Sequence, residues 1–303
     1  MTTINLTING QSVVAKPGQT VLEAARDAGI HIPTLCYHPA LPPVGYCRIC
    51  LVEDKARGVQ ETSCTLQVHE GMVIETESPT VLEKRRLALE LILSEHPLDC
   101  MTCEQAGNCE LQDLAYEFGI KESSLPHKLH NYPVTDPNPF IERDYNKCIM
   151  CERCVSACRE LNGVEAIYVF NRGFDAKIGT VFDGNLEDSP CEFCGQCVAV
   201  CPTGALTERQ AKGRGRTWEM TKVTTTCGYC GVGCQFDLNI KDGQVVKVTS
   251  NWDAPANGGM LCVKGRFGFE YINHPDRLTK PLVRKELAEE LNLPQAENGT
   301  SAR

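Results

Sequence analysis

Nineteen cysteines constrain this 303-residue chain more than any other feature of its sequence. They fall into five groups, four with four members and one with three, and the odd total excludes complete pairing into disulfides. The N-terminal residues show no basic segment followed by an apolar one and no twin arginine. We therefore expect a cytoplasmic protein, because disulfides are rare in that compartment and grouped cysteines there usually bind metal.

Composition bounds what else the chain can be. Apolar residues make up 42% of it and charged residues 23%, which is compatible with folded cores in several small domains. The longest apolar run covers residues 87–93, is interrupted by Glu90, and is too short to span a membrane. The formal net charge of −9 argues against a protein that binds nucleic acid by neutralising phosphates.

Two of the groups share the spacing Cys-x2-Cys-x2-Cys-x3-Cys, and the second of them is followed by Pro202. In bacterial two-cluster ferredoxins this spacing places three cysteines on one cluster and the fourth on the other. It predicts two [4Fe–4S] sites with exchanged fourth ligands: Cys148, Cys151, Cys154 and Cys201, and Cys158, Cys191, Cys194 and Cys197. We expect the fourth cysteine of each run to begin a helix that leads to the neighbouring cluster. The alternative is a pair of structural zinc sites.

The first group departs from the spacing of plant-type ferredoxins, but its setting resembles a β-grasp domain. Its members are Cys36, Cys47, Cys50 and Cys64. Thr20 and Glu23 form a predicted capping box for a helix that runs through Asp27 and is closed by Gly29. The predicted strands cover residues 4–8, 11–15, 50–53 and 72–75. This arrangement predicts a [2Fe–2S] site, with a zinc site on the same fold as the alternative.

The group of three, Cys100, Cys103 and Cys109, lacks a fourth thiol. His96 lies just before it in the pattern His-x3-Cys-x2-Cys-x5-Cys, and a neutral imidazole is an established substitute for thiolate at iron–sulfur centres. We therefore predict a [4Fe–4S] site with His96 as the fourth ligand. The alternative is that His96 only ends a helix predicted over residues 80–95.

The fifth group has the spacing Cys-x2-Cys-x3-Cys-x27-Cys. Its members are Cys227, Cys230, Cys234 and Cys262. Glycines between the first three would let the backbone wrap closely around a cluster. Two predicted strands over residues 235–240 and 244–250, joined by Asp242-Gly243, lie before the last cysteine. The pattern predicts a further [4Fe–4S] site, and a zinc ribbon is the alternative.

Taken together, these motifs resemble known redox subunits. A β-grasp domain followed by a group of one histidine and three cysteines resembles the N-terminus of the large peripheral-arm subunit of complex I. It also resembles the electron-input subunits of NAD-linked and iron-only hydrogenases. The segment Cys227-Gly-Tyr-Cys-Gly-Val-Gly-Cys234 with Cys262-Val-Lys-Gly265 is similar to the first cluster domain of molybdopterin oxidoreductases. The combined order, over residues 1 to about 285, resembles the catalytic alpha subunit of cytoplasmic NAD-dependent molybdenum or tungsten formate dehydrogenase.

These patterns and this resemblance imply an α+β, multi-domain iron–sulfur protein. The first two expected domains are a β-grasp [2Fe–2S] domain at 1–78 and a helical [4Fe–4S] domain with one histidine and three cysteine ligands at 79–119. After a linker at 120–137 we expect a two-cluster ferredoxin domain at 138–212 and a molybdopterin-oxidoreductase [4Fe–4S] domain at 213–285. The last segment, 286–303, is expected to be a polar tail or a lead-in to a pterin domain.

The resemblance also implies a function and partners. Electrons from formate oxidation at a molybdenum or tungsten bis-pterin site would pass through five clusters towards a subunit that binds FMN and NAD. Lys264 would lie between the last cluster and the pterin, or else be an ordinary solvated lysine. No Gly-rich dinucleotide fingerprint follows a strand, so we expect NAD to bind to the partner, in a hetero-oligomer.

The chain as given has no counterpart of the family's metal-bound cysteine or selenocysteine. We therefore expect no catalytic residue in it, and expect the pterin domain either further along a longer chain or on a separate polypeptide. Two other interpretations fit the same motifs. One is an electron-transfer subunit of an NAD-linked hydrogenase or complex I-like assembly, and the other is a zinc-stabilised structural protein.

Overall fold

The computed structural model describes residues 3–134, 136–280 and 283–292. Contacts divide the chain into a large unit that ends at Phe269 and a small unit that begins at Glu270. Most of the predicted polar tail lies outside the described residues. Among the described residues, no helix combines the length and apolar character that a membrane crossing requires.

The N-terminal part of the large unit is a five-stranded sheet. Its strands are β1 (Ile4–Ile8), β2 (Gln11–Ala15), β3 (Leu51–Asp54), β4 (Val59–Thr62) and β5 (Val73–Glu75), in the order β2-β1-β5-β3-β4. Strand β1 pairs antiparallel with β2 and parallel with β5. Asn9 and Gly10 turn the first hairpin with φ values of 52° and 78°, as a tight turn between twisted strands requires. The four predicted strands are thus confirmed to within one residue at each end.

Helix α1 (Val21–Asp27) covers this sheet. Thr20 Oγ1 accepts a hydrogen bond from the backbone N–H of Glu23 at 3.2 Å, and the Glu23 carboxylate accepts one from the backbone N–H of Thr20 at 2.8 Å. These two bonds confirm the predicted capping box. Gly29, with φ 72°, follows the last turn. The buried core between helix and sheet contains two of the cysteines, Cys50 and Cys64.

Two helices follow, α2 (Pro79–Ser94) and α3 (Glu110–Glu117). The side chain of Ser78 caps the start of helix α2 by accepting a hydrogen bond from the backbone N–H of Val81. The helix ends one residue earlier than predicted. Its buried residues pack with those of α3 and with the loop before β3, in a core that contains Leu35, Ile49, Leu89, Leu93, Cys109, Leu111, Leu114 and Ile120. The grasp module, residues 3–78, and the helical module, residues 79–119, therefore share one core.

The ferredoxin-like module, residues 138–212, is built from short elements. They are β6 (Ile141–Arg143), α4 (Arg153–Ser156), β7 (Tyr168–Phe170), β8 (Lys177–Gly179), α5 (Gln196–Ala199) and β9 (Leu206–Glu208). Strand β6 pairs with β9 and β7 pairs with β8, both antiparallel. A π-helical turn, Ala157–Leu161, continues α4.

The predicted start of the two helices in this module was wrong. We expected each helix to begin at the fourth cysteine of its run, but α4 and α5 begin just before the third cysteine, so that Cys154 and Cys197 lie in their first turns. The residues that precede them, Glu152 and Gly195, have φ values of 59° and 70°. A left-handed residue at this point reverses the direction of the loop and starts the helix early.

The last part of the large unit, the C-terminal module of residues 213–269, is a three-stranded antiparallel sheet followed by a short helix. The strands are β10 (Thr221–Thr226), β11 (Gln235–Lys241) and β12 (Gln244–Ser250), in that order, and the helix is α6 (Val263–Phe267). Strands β11 and β12 confirm the predicted pair. The small unit contains α7 (Glu270–Asn273) and α8 (Lys285–Glu290).

Adjacent valines in β2 provide a matched test of this fold. Val13 is 4% exposed in the core and Val14 is 61% exposed on the opposite face of the strand. We expect Val13→Ala to lower the free energy of opening of the grasp sheet by about 2 kcal/mol, because a buried side chain is lost, and Val14→Ala to leave it unchanged. Native-state hydrogen exchange at the β1 and β2 amides of the full chain measures both. Equal effects at the two positions would contradict the assigned register.

Candidate metal centres

The four cysteines of the first group form two pairs of thiols. A hydrogen bond with Cys47 lowers the pKa of Cys36 to about 6, and one with Cys64 lowers the pKa of Cys50 to about 7. In each pair the other thiol has a raised pKa, first because of the same hydrogen bond and then because of burial. Two adjacent pairs, one for each iron, fit a [2Fe–2S] cluster.

His96 lies two residues beyond the end of α2 and is 8% exposed. Its Nε2 atom is buried without a hydrogen-bond partner among the described residues. The pKa of His96 is lowered, mainly by burial, so the ring is held neutral. A buried, neutral imidazole with a free ring nitrogen fits the role of a metal ligand better than that of a helix cap.

A cavity of about 400 Å³ brings His96 together with Cys100 and Cys109. Cys103, the remaining member of this group, is buried next to the ferredoxin-like module, where a Cβ added at Gly204 would lie 2.7 Å from its Sγ. Burial raises the pKa of Cys109 to about 11. Thiols in such surroundings stay protonated until a metal displaces the proton, so the group fits a cluster that deprotonates its ligands.

The ferredoxin-like module brings its eight cysteines together in the predicted exchanged arrangement. One cavity is lined by Cys148, Cys151, Cys154 and Cys201, and a second is lined by Cys158, Cys191, Cys194 and Cys197. Burial raises the pKa of Cys148 to about 12 and also raises the pKa values of Cys154 and Cys197 well above the usual range. The convergence of four thiols on each cavity fits two [4Fe–4S] clusters.

Backbone strain in the two cysteine loops was not visible in the sequence. Met150 and Glu152 in the first loop have φ values of 51° and 59°, and Phe193 and Gly195, at the corresponding positions of the second, have 51° and 70°. Left-handed backbone is costly for residues with a side chain and persists only where the surroundings enforce it. Its repetition at matching positions shows that the two loops have a similar backbone conformation.

The fifth group lies at the surface of the large unit. The pKa of Cys234 is raised by burial and then by the nearby thiols of Cys227, Cys230 and Cys262, which places all four together. Cys230 and Cys262 are exposed. Lys264 is exposed in the first turn of α6, two residues after Cys262. The group fits a [4Fe–4S] cluster that is open on one side, and Lys264 stays a predicted contact of that side.

Models of known families match four successive segments of the chain. A 2Fe-2S iron–sulfur cluster binding domain matches residues 1–79, and the iron–sulfur binding region of NADH-ubiquinone oxidoreductase G matches residues 85–124. The ferredoxin-like domain of NADH-quinone oxidoreductase subunit 3 matches residues 138–207. The Fe4S4 domain of molybdopterin oxidoreductases matches residues 220–274.

A solved structure of a redox enzyme contains a similar chain. A chain of the NAD+-reducing [NiFe]-hydrogenase, solved in the H2-reduced state, is 33% identical with a TM-score of 0.66, and the match covers 71% of this chain and 91% of that one. This chain belongs to the same family of iron–sulfur subunits. The family includes the NADH-quinone oxidoreductase G type, the NAD-linked hydrogenase type and the formate dehydrogenase type.

Two curated members of the family show how much of a relative this chain spans. The alpha subunit of the NADPH-Fe(3+) oxidoreductase of Geobacter sulfurreducens is 41% identical over 94% of this chain and 33% of its own length. Subunit HndD of the NADP-reducing hydrogenase of Solidesulfovibrio fructosivorans is 36% identical over 96% of this chain and 50% of its own length. The chain therefore spans between a third and a half of the length of these relatives. Membership confirms the α+β multi-domain iron–sulfur fold with [2Fe–2S] and [4Fe–4S] domains.

The close approach of Gly204 to Cys103 generates a prediction. Since a Cβ at Gly204 would lie 2.7 Å from Sγ, we expect Gly204→Ala to displace Cys103 and to remove about four irons per chain. Gly184→Ala is the control, because the nearest atom to its Cβ would be a backbone oxygen at 3.4 Å. Iron analysis of anaerobically purified protein measures both variants. Full iron content in the Gly204 variant would contradict the prediction.

Proposed function

We propose that this chain carries electrons in an NAD-dependent formate dehydrogenase, between a molybdenum or tungsten bis-pterin site and a partner that binds FMN and NAD. The main support for this proposal is that the 19 cysteines and His96 form five groups of four candidate ligands. The last group along the chain is of the molybdopterin-oxidoreductase type. A putative formate dehydrogenase of Staphylococcus haemolyticus, 32% identical over 93% of this chain, supports the assignment.

The role follows from the electron count. Formate oxidation releases two electrons together, whereas an iron–sulfur cluster accepts one at a time. A series of clusters therefore lets formate chemistry and NAD reduction take place at separate sites. In this chain the thiols and His96 would hold the clusters, while burial, backbone donors and nearby charges would set each potential.

The contacts within the large unit support a route. Electrons would enter at the exposed group of Cys227, beside Lys264, and pass to the ferredoxin-like pair of clusters. Helix α6, which follows Cys262, contacts the ferredoxin-like site of Cys158, Cys191, Cys194 and Cys197. The contact is a hydrogen bond of 3.0 Å from Arg266 Nε to the carbonyl of Cys194. From the ferredoxin-like module electrons would continue past the His96 group, on the main path or beside it, and leave towards the flavin subunit.

A second candidate is an electron-transfer subunit of an NAD-linked hydrogenase or a complex I-like assembly. The similarity to the chain of the NAD+-reducing [NiFe]-hydrogenase favours it. That match covers 71% of this chain, and the similarity to subunit HndD of the NADP-reducing hydrogenase extends over 96% of it.

Metal analysis and electron donors test these proposals on the native complex, purified without oxygen. We expect about 18 irons per chain and little zinc, from one binuclear and four cubane clusters. We also expect formate to reduce the clusters and NAD+. Abundant zinc with few irons would contradict the cluster sites. Full iron content with reduction by hydrogen or NADH but not by formate would favour the second candidate.

Substitution of His96 tests its role as a ligand. We expect His96→Cys to keep the cluster and to lower its reduction potential, because a thiolate adds negative charge where the imidazole is neutral. Potentiometric titration followed by electron paramagnetic resonance measures this. The control is His31→Cys, since the ring of His31 is exposed and pairs with Glu117 at the surface. A potential that stays unchanged in the His96 variant would argue against ligation.

A further inference from the structure

Arg153 is a buried arginine, 3% exposed, where three modules meet. Its Nη2 donates to the carbonyl of Tyr37 at 2.6 Å, in the grasp module. Nη1 and Nη2 donate to the two carboxylate oxygens of Glu110, at 2.6 and 2.7 Å, in the helical module. Nη1 also reaches the carbonyl of Val200 at 3.4 Å, within the ferredoxin-like module. One side chain therefore connects all three.

The positions of these contacts along the chain place the guanidinium between two cysteine groups. The two carbonyls belong to residues directly next to Cys36 and Cys201, and Arg153 itself precedes Cys154. One of these groups is the predicted [2Fe–2S] site and the other is the first ferredoxin-like site. The charge of Arg153 thus lies at the boundary between two cluster sites.

The charge of Arg153 is only partly compensated. A guanidinium stays protonated in proteins, and the carboxylate side chain of Glu110 is 46% exposed, so solvent screens its negative charge. The Nε atom of Arg153 is buried and has no hydrogen-bond partner among the described residues. The ion pair therefore has its positive charge in a poorly solvated position, while its negative charge lies nearer to the solvent.

We propose that Arg153 is a positioning residue shared by two cluster sites, whose charge raises the reduction potentials of the [2Fe–2S] cluster and of the cluster held by Cys148, Cys151, Cys154 and Cys201. This inference rests on the proposed cluster sites. Reduction adds one negative charge to a cluster, and a buried cation stabilises that reduced form. Because one charge acts on both clusters, its removal should lower the reduction potentials of both.

Arg266 provides a matched control. It is equally buried, at 1% exposed, and its Nε donates to the carbonyl of Cys194 at 3.0 Å. Cys194 belongs to the other ferredoxin-like site, together with Cys158, Cys191 and Cys197. Replacing Arg266 removes the same charge from the same module, but away from the [2Fe–2S] group.

The experiment compares Arg153→Met, Arg153→Lys and Arg266→Met in the native complex, with iron analysis and potentiometric titration followed by electron paramagnetic resonance. We expect Arg153→Met to shift the ratio of reduced to oxidised [2Fe–2S] cluster about tenfold towards oxidised at a fixed potential, which is about 59 mV for one electron. Arg153→Lys should recover part of the shift, since it keeps the charge. Arg266→Met should leave the [2Fe–2S] potential unchanged.

Glu110→Gln is the second variant if Arg153→Met does not assemble. Removing this carboxylate leaves Arg153 less compensated, so we expect a smaller, upward shift of the same two potentials. Full iron content with unchanged potentials in either variant would overturn the inference, as would an equal [2Fe–2S] shift in Arg266→Met. Failure of the proposed cluster sites is distinguishable, because the unsubstituted protein would then lack the iron and the signals.

Discussion

Arginine side chains that cross from one module to the next hold the cysteine groups in their mutual positions. Arg85 in α2 donates to the carbonyl of Leu51, next to Cys50, and Arg216 donates to the carbonyl of Cys103. Arg153 and Arg266 make the same kind of contact with carbonyls at or beside other cysteines. A guanidinium offers five donors on one rigid plane, so a single side chain can satisfy carbonyls that a cysteine loop leaves unpaired.

These contacts are needed because the modules are small and the cysteines occupy much of their interiors. In the ferredoxin-like module the buried apolar residues pack with six of its eight cysteines, and each regular helix is only four residues long. The apolar core of this module is therefore built around the cysteines. The grasp module differs, since its sheet and helix form a core of their own around Cys50 and Cys64. Metal binding and folding are therefore coupled most closely in the ferredoxin-like module.

Local patterns predicted much of the fold. The Asn9-Gly10 turn and the Thr20 capping box fixed the first hairpin and helix, because both depend on residues close together in sequence. Strands β4 and β10 were not predicted. Strand β4 is short and mostly polar, and most residues of β10 are threonines. The early start of α4 and α5 depends on left-handed residues such as Glu152, whose side chain gives no sign of that conformation.

The sequence by itself determined how the cysteines are grouped along the chain. Their spacing, with His96 just before the group of three, predicts five groups of ligands, because short gaps such as Cys-x2-Cys let neighbouring thiols reach one cluster. Only the tertiary structure decided how the groups are placed against one another. Gly204 packs on Cys103, and Arg153 reaches three modules, through contacts between residues more than forty positions apart. Spacing carries no information about such contacts, since they depend on the shape and burial of surfaces that form only when the modules pack.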